Sequence, residues 1–245
     1  MATQAGAKAR WAPERRFYTG MAAAMIVLVL IGFGPSFYFR GYIAFPRPNP
    51  TITPAVLLHG IAFSLWMLLF AAQAGLVGLG RRDLHMRLGL AAMAFAVLLV
   101  PLMYLIAVGQ VARANQPPFT TPLAWTIVPI MVIPVFVALV WLGWKHRREA
   151  QVHKRLMLGA ALLMMDPAIG RFPLAPPTFG GFAFQNFVPL VMYLPLFWWD
   201  WRTIGRPHWA TKLGFGLFAL VLAVRVVVLA APGGWERIAA MLPGI

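Results

Sequence analysis

The chain has 245 residues, of which 61% are hydrophobic and only 11% charged, with a mean hydropathy of +0.75 and a formal net charge of +15. A water-soluble domain carries roughly 45–50% apolar and about 25% charged residues, so a soluble nucleotide-binding enzyme is excluded. With no cysteine, a disulfide scaffold, a thiol redox centre and a zinc-thiolate site are excluded as well, and the composition points to one polytopic membrane domain.

A bilayer core about 30 Å thick takes roughly 20 apolar residues per helix, and seven segments reach that length. A basic cytoplasmic tail, 1–16, precedes the first, 17–39, whose apolar run is too long for a cleaved signal peptide and reads as a retained signal-anchor helix. The second, 53–79, aligns His59, Phe63, Trp66, Phe70 and Gln73 on one face. Such a seam either packs as aromatic core or lines a haem or quinone slot. Beside it Gly60, Ser64, Ala71 and Gly75 form a small-residue stripe that permits close helix contact. The third and fourth segments are 84–112 and 122–144. The fifth, 153–172, is interrupted by Asp166, Pro167 and Arg171. The sixth and seventh are 181–201 and 211–232, and a short external tail, 233–245, follows. Continuous apolar runs predict helices rather than barrel strands. Pro35, Pro101, Pro129, Pro134, Pro167, Pro189 and Pro195 fall inside the spans, where each removes a backbone donor, so bent helices are expected. The expected fold is an all-α, seven-helix transmembrane bundle.

The basic residues set its orientation. Lys8, Arg10, Arg15, Arg16, Arg81, Arg82, Arg87, Lys145, Arg147, Arg148, Lys154, Arg155, Arg202, Arg206 and Lys212 fall on one side. Arg40, Arg47, Arg113, Arg171 and Arg237 fall on the other. Fifteen against five, alternating with each span, places the N-terminus in the cytoplasm and the C-terminus outside. Trp11, Trp141, Trp144, Trp198, Trp199, Trp201 and Trp209 crowd the same inner interface as an aromatic belt. Anionic lipid headgroups are therefore the expected partners of the inner rim. Nucleic acid is not, because the cations follow the span alternation and no basic domain exists to carry a groove.

Two strings repeat: Leu84-His85-Met86-Arg87-Leu88 and Val152-His153-Lys154-Arg155-Leu156, with their histidines 68 positions apart. Both follow a basic inner loop and open an outward-running helix, as in duplicated helical hairpins. His208, ahead of the seventh span, is a looser third copy. His85, His153 and His208 thus share the inner rim with Asp200, at the end of the sixth span. Three imidazoles and a carboxylate at one depth form a candidate site for Zn²⁺ or Fe²⁺. The competing expectation is plain interfacial residues, with Asp200 paired to Arg202 or Arg206.

In the outer half, ionisable residues inside the apolar segments are functional suspects. His59 lies roughly 9 Å deep at 1.5 Å per residue, and Asp166 and Arg225 fall at a comparable level with Tyr104, Gln110, Gln185 and Asn186. An Asp166–Arg225 ion pair is the economical expectation, since each would otherwise be a lone charge in low dielectric. His59, Tyr104 and Asn186 would complete a ligand pocket around it. Haem b calls for two axial ligands at similar depth, for which His59 with Met103 or Met192, or His85 with His153, are the available sets.

The strings Arg16-Phe17-Tyr18, Gly32-Phe33-Gly34-Pro35-Ser36-Phe37-Tyr38, His59 with Trp66 and Gln73, the two histidine strings, and Asp200 with Arg206, His208 and Arg225 together resemble a family of uncharacterised bacterial multi-pass inner-membrane proteins. The resemblance covers almost the whole chain and implies the cell inner membrane, without an activity. The His-then-Gln helix followed by Leu84-His85-Met86-Arg87-Leu88-Gly89 is similar, more loosely, to a second family of predicted membrane proteins. Two functions are expected in competition. One is a ligand-binding or transport-like bundle, or an accessory subunit of a membrane complex. The other is a membrane enzyme or redox protein using the inner-rim histidines on a metal or haem.

Overall fold

The computed structural model describes residues 4–44, 51–172 and 178–245. Arg47 and the side chains of Lys8, Arg10 and Trp11 lie outside the described residues. The fold is all-α. Helix α1 (Gln4–Phe33) runs into a π-helical turn (Gly34–Tyr38) and is followed by α2 (Pro54–Gly78), α3 (Arg82–Arg113), α4 (Pro122–Trp125), α5 (Ile127–Ile130) and α6 (Val132–Lys145). Then come α7 (Ala150–Leu163), α8 (Asp166–Ile169), α9 (Phe179–Val191), α10 (Leu194–Ile204), α11 (Trp209–Ala230) and α12 (Gly233–Ala239). Among the described residues, six stretches are long and apolar enough to cross a membrane: Pro13–Tyr38, Pro54–Gly78, Arg82–Arg113, Pro122–Lys145, Gly181–Ile204 and Trp209–Ala230.

Proline decides where the interrupted helices stop. Helices α4, α5, α7 and α9 end at Trp125, Ile130, Leu163 and Val191, and four positions beyond each stands Pro129, Pro134, Pro167 or Pro195. A proline has no N–H for the carbonyl four residues back, and its ring crowds that carbonyl, so the ladder fails there. Pro101 and Pro189, by contrast, sit inside α3 and α9 without ending them. At Pro35 the chain widens instead, into the π-helical turn closed by Phe39 N donating to Gly34 O at 2.7 Å. Starts are capped: the Thr53, Thr121 and Thr178 hydroxyls accept from Val56, Ala124 and Gly181 N–H, and His208 accepts from Ala210 N–H.

The segment expected at 153–172 is the hub. It is split into α7 and α8, of 14 and 4 residues, and so is not one of the six long apolar stretches. Yet from Val152 to Ile169 most of its side chains are buried. Helix α7 packs on α6, α9 and α11, and α8 on α1 and α9. Low hydropathy here reflects polar groups that neighbouring helices satisfy. Close approach depends on small residues: a Cβ on Gly32 would fall on the backbone carbonyl of Ala168, joining α1 to α8. Midway along the hub, Tyr193 of α9–α10 is wedged between Gly159 of α7 and Gly214 of α11, its hydroxyl donating to Gly159 O at 3.4 Å. Gly32→Val should therefore cost about 1–3 kcal/mol through overpacking against rigid backbone. The thermal midpoint in detergent checks this, with Gly75→Ala as control because a Cβ there meets nothing within 4 Å.

Candidate functional site

Two buried polar clusters join the same three stretches of chain, one at each end of the hub. At the outer end, Arg225 of α11 is fully buried. Its Nη1 donates to Asp166 Oδ2 at 2.7 Å and to Asn186 Oδ1 at 2.5 Å. Its Nε and Nη2 both donate to the Val128 carbonyl of α5, at 3.1 and 2.5 Å. Asn186 in turn donates from Nδ2 to Phe182 O at 2.8 Å. One guanidinium thus ties α5, α8 and α9 to α11. Ile127, Val128 and Phe182 form a small apolar cluster beside it, covered by Phe119, Trp125 and Trp235. Trp235 of α12 donates to Thr126 Oγ1 at 2.9 Å, and Thr121 bonds Glu236, so the C-terminal helix lies over α4 as a cover.

Of the outer residues expected to share a pocket, Asp166, Asn186 and Arg225 come together and the rest do not. His59 belongs to a different junction: its ring lies 4.4 Å from that of Phe63, and Phe37 of the π-helical turn occupies the space above neighbouring Gly60. His59 Nδ1 is buried without a hydrogen-bond partner among the described residues. Tyr104 donates to Pro243 O at 2.9 Å, in the C-terminal turn, and Gln110 to Pro122 O at 2.9 Å, at the start of α4. The hydrogen bonds and ring contacts among the described residues therefore do not join the five residues. The expected α2 seam divides likewise, with Trp66 packed on Phe136 and Gln73 on α3.

At the inner end Asp200 of α10 is fully buried. Its Oδ1 accepts from Arg155 Nε at 2.9 Å and Nη2 at 2.5 Å, while its Oδ2 accepts from His208 N at 2.8 Å and Thr211 Oγ1 at 2.6 Å. Arg155 Nη1 completes the set on Gln151 O and Oε1 at 2.8 and 2.6 Å. Asp200 is thus not paired with Arg202 or Arg206 as expected. Its partner is Arg155, which topology counting had placed among the interfacial cations. The guanidinium was missed because Lys154 and the cations of the preceding loop conceal it. The usable signal was the lone carboxylate opposite it, since Asp200 needs a buried donor.

The four residues expected to ligate a metal are therefore split. Asp200 has both oxygens occupied, and His208 Nδ1 caps α11. Among the described residues no group of three His, Cys, Asp or Glu is placed to hold an ion. What does form is a histidine pair: the rings of His85 and His153 lie 6.2 Å apart. Their tautomers follow from their partners. His153 Nδ1 faces Gly143 O at 2.8 Å, an acceptor only, so Nδ1 carries the proton and Nε2 a lone pair. His85 Nδ1 faces the Gln73 amide, whose nitrogen also donates to His85 O at 3.1 Å while its oxygen accepts from Gly89 N at 3.0 Å. His85 Nδ1 is then the acceptor and its Nε2 carries the proton. A ligand at both Nε2 atoms would meet one donor and one acceptor.

His208 lies outside the spanning helices and its pKa is lowered, first by burial and then by Arg155, with Lys154 and Arg206 in the same sense and Asp200 opposing. The folded state favours the neutral ring, which caps α11. Stability contributed by the neutral ring is present above the ordinary value of about 6.5 and is lost as pH falls through it, because the unfolded chain takes up the proton first. Thermal midpoints between pH 8 and 5 should fall on acidification, and less steeply for His208→Asn, which caps without titrating.

The chain matches no family model, no curated protein and no solved structure. Six long apolar helices make it a multi-pass membrane protein.

Proposed function

We propose that this chain is a seven-span inner-membrane protein, N-terminus cytoplasmic, that binds a molecule drawn from the bilayer and has a closed interior. The observation that carries this reading is the consumption of the buried charges by one another: Asp166 with Arg225, and Asp200 with Arg155. A polar route through the centre would leave such groups facing water; here each is bonded inside packed helices. Two apolar grooves open on the outside, between α3 and α6 and between α9 and α11. The seventh crossing is supported by the length from α7 through α8, whose 20 positions span about 30 Å at 1.5 Å each. The cytoplasmic N-terminus is supported by the basic-residue asymmetry, and the inner membrane by the bacterial family that the sequence resembles.

Extraction in mild detergent tests the reading. Native mass spectrometry should find lipid-phase molecules retained on the protein, and proteoliposomes should pass solutes no faster than empty vesicles. Solute flux that depends on Asp166 or Arg225 would refute the closed interior.

A second reading rests on the His85–His153 pair: a membrane enzyme or redox protein with a metal or haem b at the inner rim. Coordination there would require the Gln73 amide to turn, so that His85 Nδ1 carries the proton and Nε2 is free. Metal analysis and an absorption spectrum of gently purified protein test it; no transition metal and no Soret band would sink it.

A further inference from the structure

The larger groove encloses about 640 Å³ between α3 and α6, inside the range of roughly 300–1,000 Å³ typical of small-molecule sites. Its walls are apolar, with Leu90, Val97, Val100, Val137 and Val140 among them. Along α3 it extends from Arg87 to Val100, about 20 Å at 1.5 Å per residue. That exceeds half of a hydrocarbon core about 30 Å thick, so one leaflet's acyl chain fits lengthwise.

The two ends of the groove differ. The upper walls are wholly apolar, Phe136 among them, whereas the inner mouth is framed by Arg87, Trp141 and Trp144. Each indole carries a cation: Lys145 Nζ lies 5.2 Å from the Trp141 ring, and Arg147 Cζ lies 4.5 Å from the Trp144 ring. Arg147 also donates to Trp144 O at 3.2 Å. Stacking on an aromatic face restrains a long basic side chain near that face. Arg87 is exposed and makes no hydrogen bond or ion pair among the described residues. Glu149, the acidic residue that follows α6, bonds His146 at 2.8 Å. Arg87 thus stands at the mouth, and Lys145 and Arg147 lie on the two indoles that frame it.

We propose that this groove is a binding site for an anionic phospholipid of the cytoplasmic leaflet. One acyl chain lies between α3 and α6, and the phosphate meets Arg87, Lys145 and Arg147 over the two indoles. This rests on the bilayer-ligand reading above and names its ligand class. Charge complementarity selects the occupant: a neutral lipid uses the walls but leaves the cations at and beside the mouth unanswered, whereas a second copy of this chain would bring further cations to a basic inner rim.

The test is retention of phosphatidylglycerol against phosphatidylcholine by the full-length protein, read by native mass spectrometry after detergent extraction from vesicles holding both. Wild type should favour phosphatidylglycerol. Arg87→Gln should cut that preference about fivefold, and adding Lys145→Gln and Arg147→Gln should abolish it. These exposed positions leave the thermal midpoint in phosphatidylcholine unchanged, which separates lost recognition from lost fold. Ala94→Trp, filling the groove, should release both lipids from this site. Equal retention of the two lipids by wild type would overturn the headgroup assignment while leaving lateral binding intact. A preference unaffected by the three substitutions would place the lipid elsewhere. Retention of neither lipid would overturn this site and the bilayer-ligand reading together.

Discussion

Arg225→Ala is expected to destabilise the folded bundle by about 3–5 kcal/mol, the usual consequence of leaving a buried carboxylate without its cation. Asp166→Ala should cost a similar amount for the reciprocal reason. The double substitution should cost distinctly less than the sum, because neither orphaned charge then remains. Hydrogen bonds between membrane helices average only about 0.6 kcal/mol, so the count of contacts made by Arg225 does not decide the effect; the unpaired charge does. Asn186→Ala, which removes a neutral acceptor from the same guanidinium, should accordingly be much milder. A double-mutant cycle in detergent, read as thermal or denaturant unfolding, measures the coupling. Additive losses would mean that Asp166 and Arg225 do not act as a pair.

The inner cluster should respond at least as strongly. Asp200→Ala strands the buried Arg155 guanidinium, the Thr211 hydroxyl and the His208 N–H together, and about 3–5 kcal/mol is expected from the charge alone. Asp200→Asn keeps two acceptor lone pairs and should fall between wild type and alanine. Asp200→Leu with Arg155→Met should recover much of the loss, as apolar replacement of both partners of a buried pair often does. Hydrogen exchange gives a local readout. Asp200 fixes the short turn from α10 to α11 through His208 N, so amides of 208–211 should exchange faster in Asp200→Ala while those around Arg225 keep their protection. Uniform acceleration through both ends would mean the clusters are not separate units.

Much of this architecture was legible in the residues. Apolar run length is a property of consecutive positions, so the six long spans could be read from hydropathy. Asp166 and Arg225 stood out because each is a single charge in an apolar stretch. Arg155 did not, because it follows His153 and Lys154 in a string that looks like any membrane-surface cluster. Asp200 misled for the same reason: Arg202 and Arg206 are near in sequence, whereas its partner is 45 positions away. His59 misled by depth. Counting along the spans puts it level with Asp166 and Arg225, but depth along the membrane normal says nothing about which side of a helix a residue occupies.

The physical division is clear in the histidine strings and the prolines. Sequence alone determined membrane class and helical state. The prolines marked where the ladder could fail, because a missing N–H acts on a carbonyl only four residues back. Tertiary context decided that Pro129, Pro134, Pro167 and Pro195 end helices while Pro101 and Pro189 do not. Sequence also set the expectation of a basic side. Tertiary structure alone decided which polar groups meet. Bonds from Arg155 to Asp200 and from Arg225 to Asp166 and Val128 join residues 45 to 97 positions apart. Their selection follows from helix packing around the shortest and least apolar segment of the chain. The +15 net charge divides along the same line: among the described residues most cations are exposed or half-buried, whereas Arg155 and Arg225 are fully buried against Asp200 and Asp166.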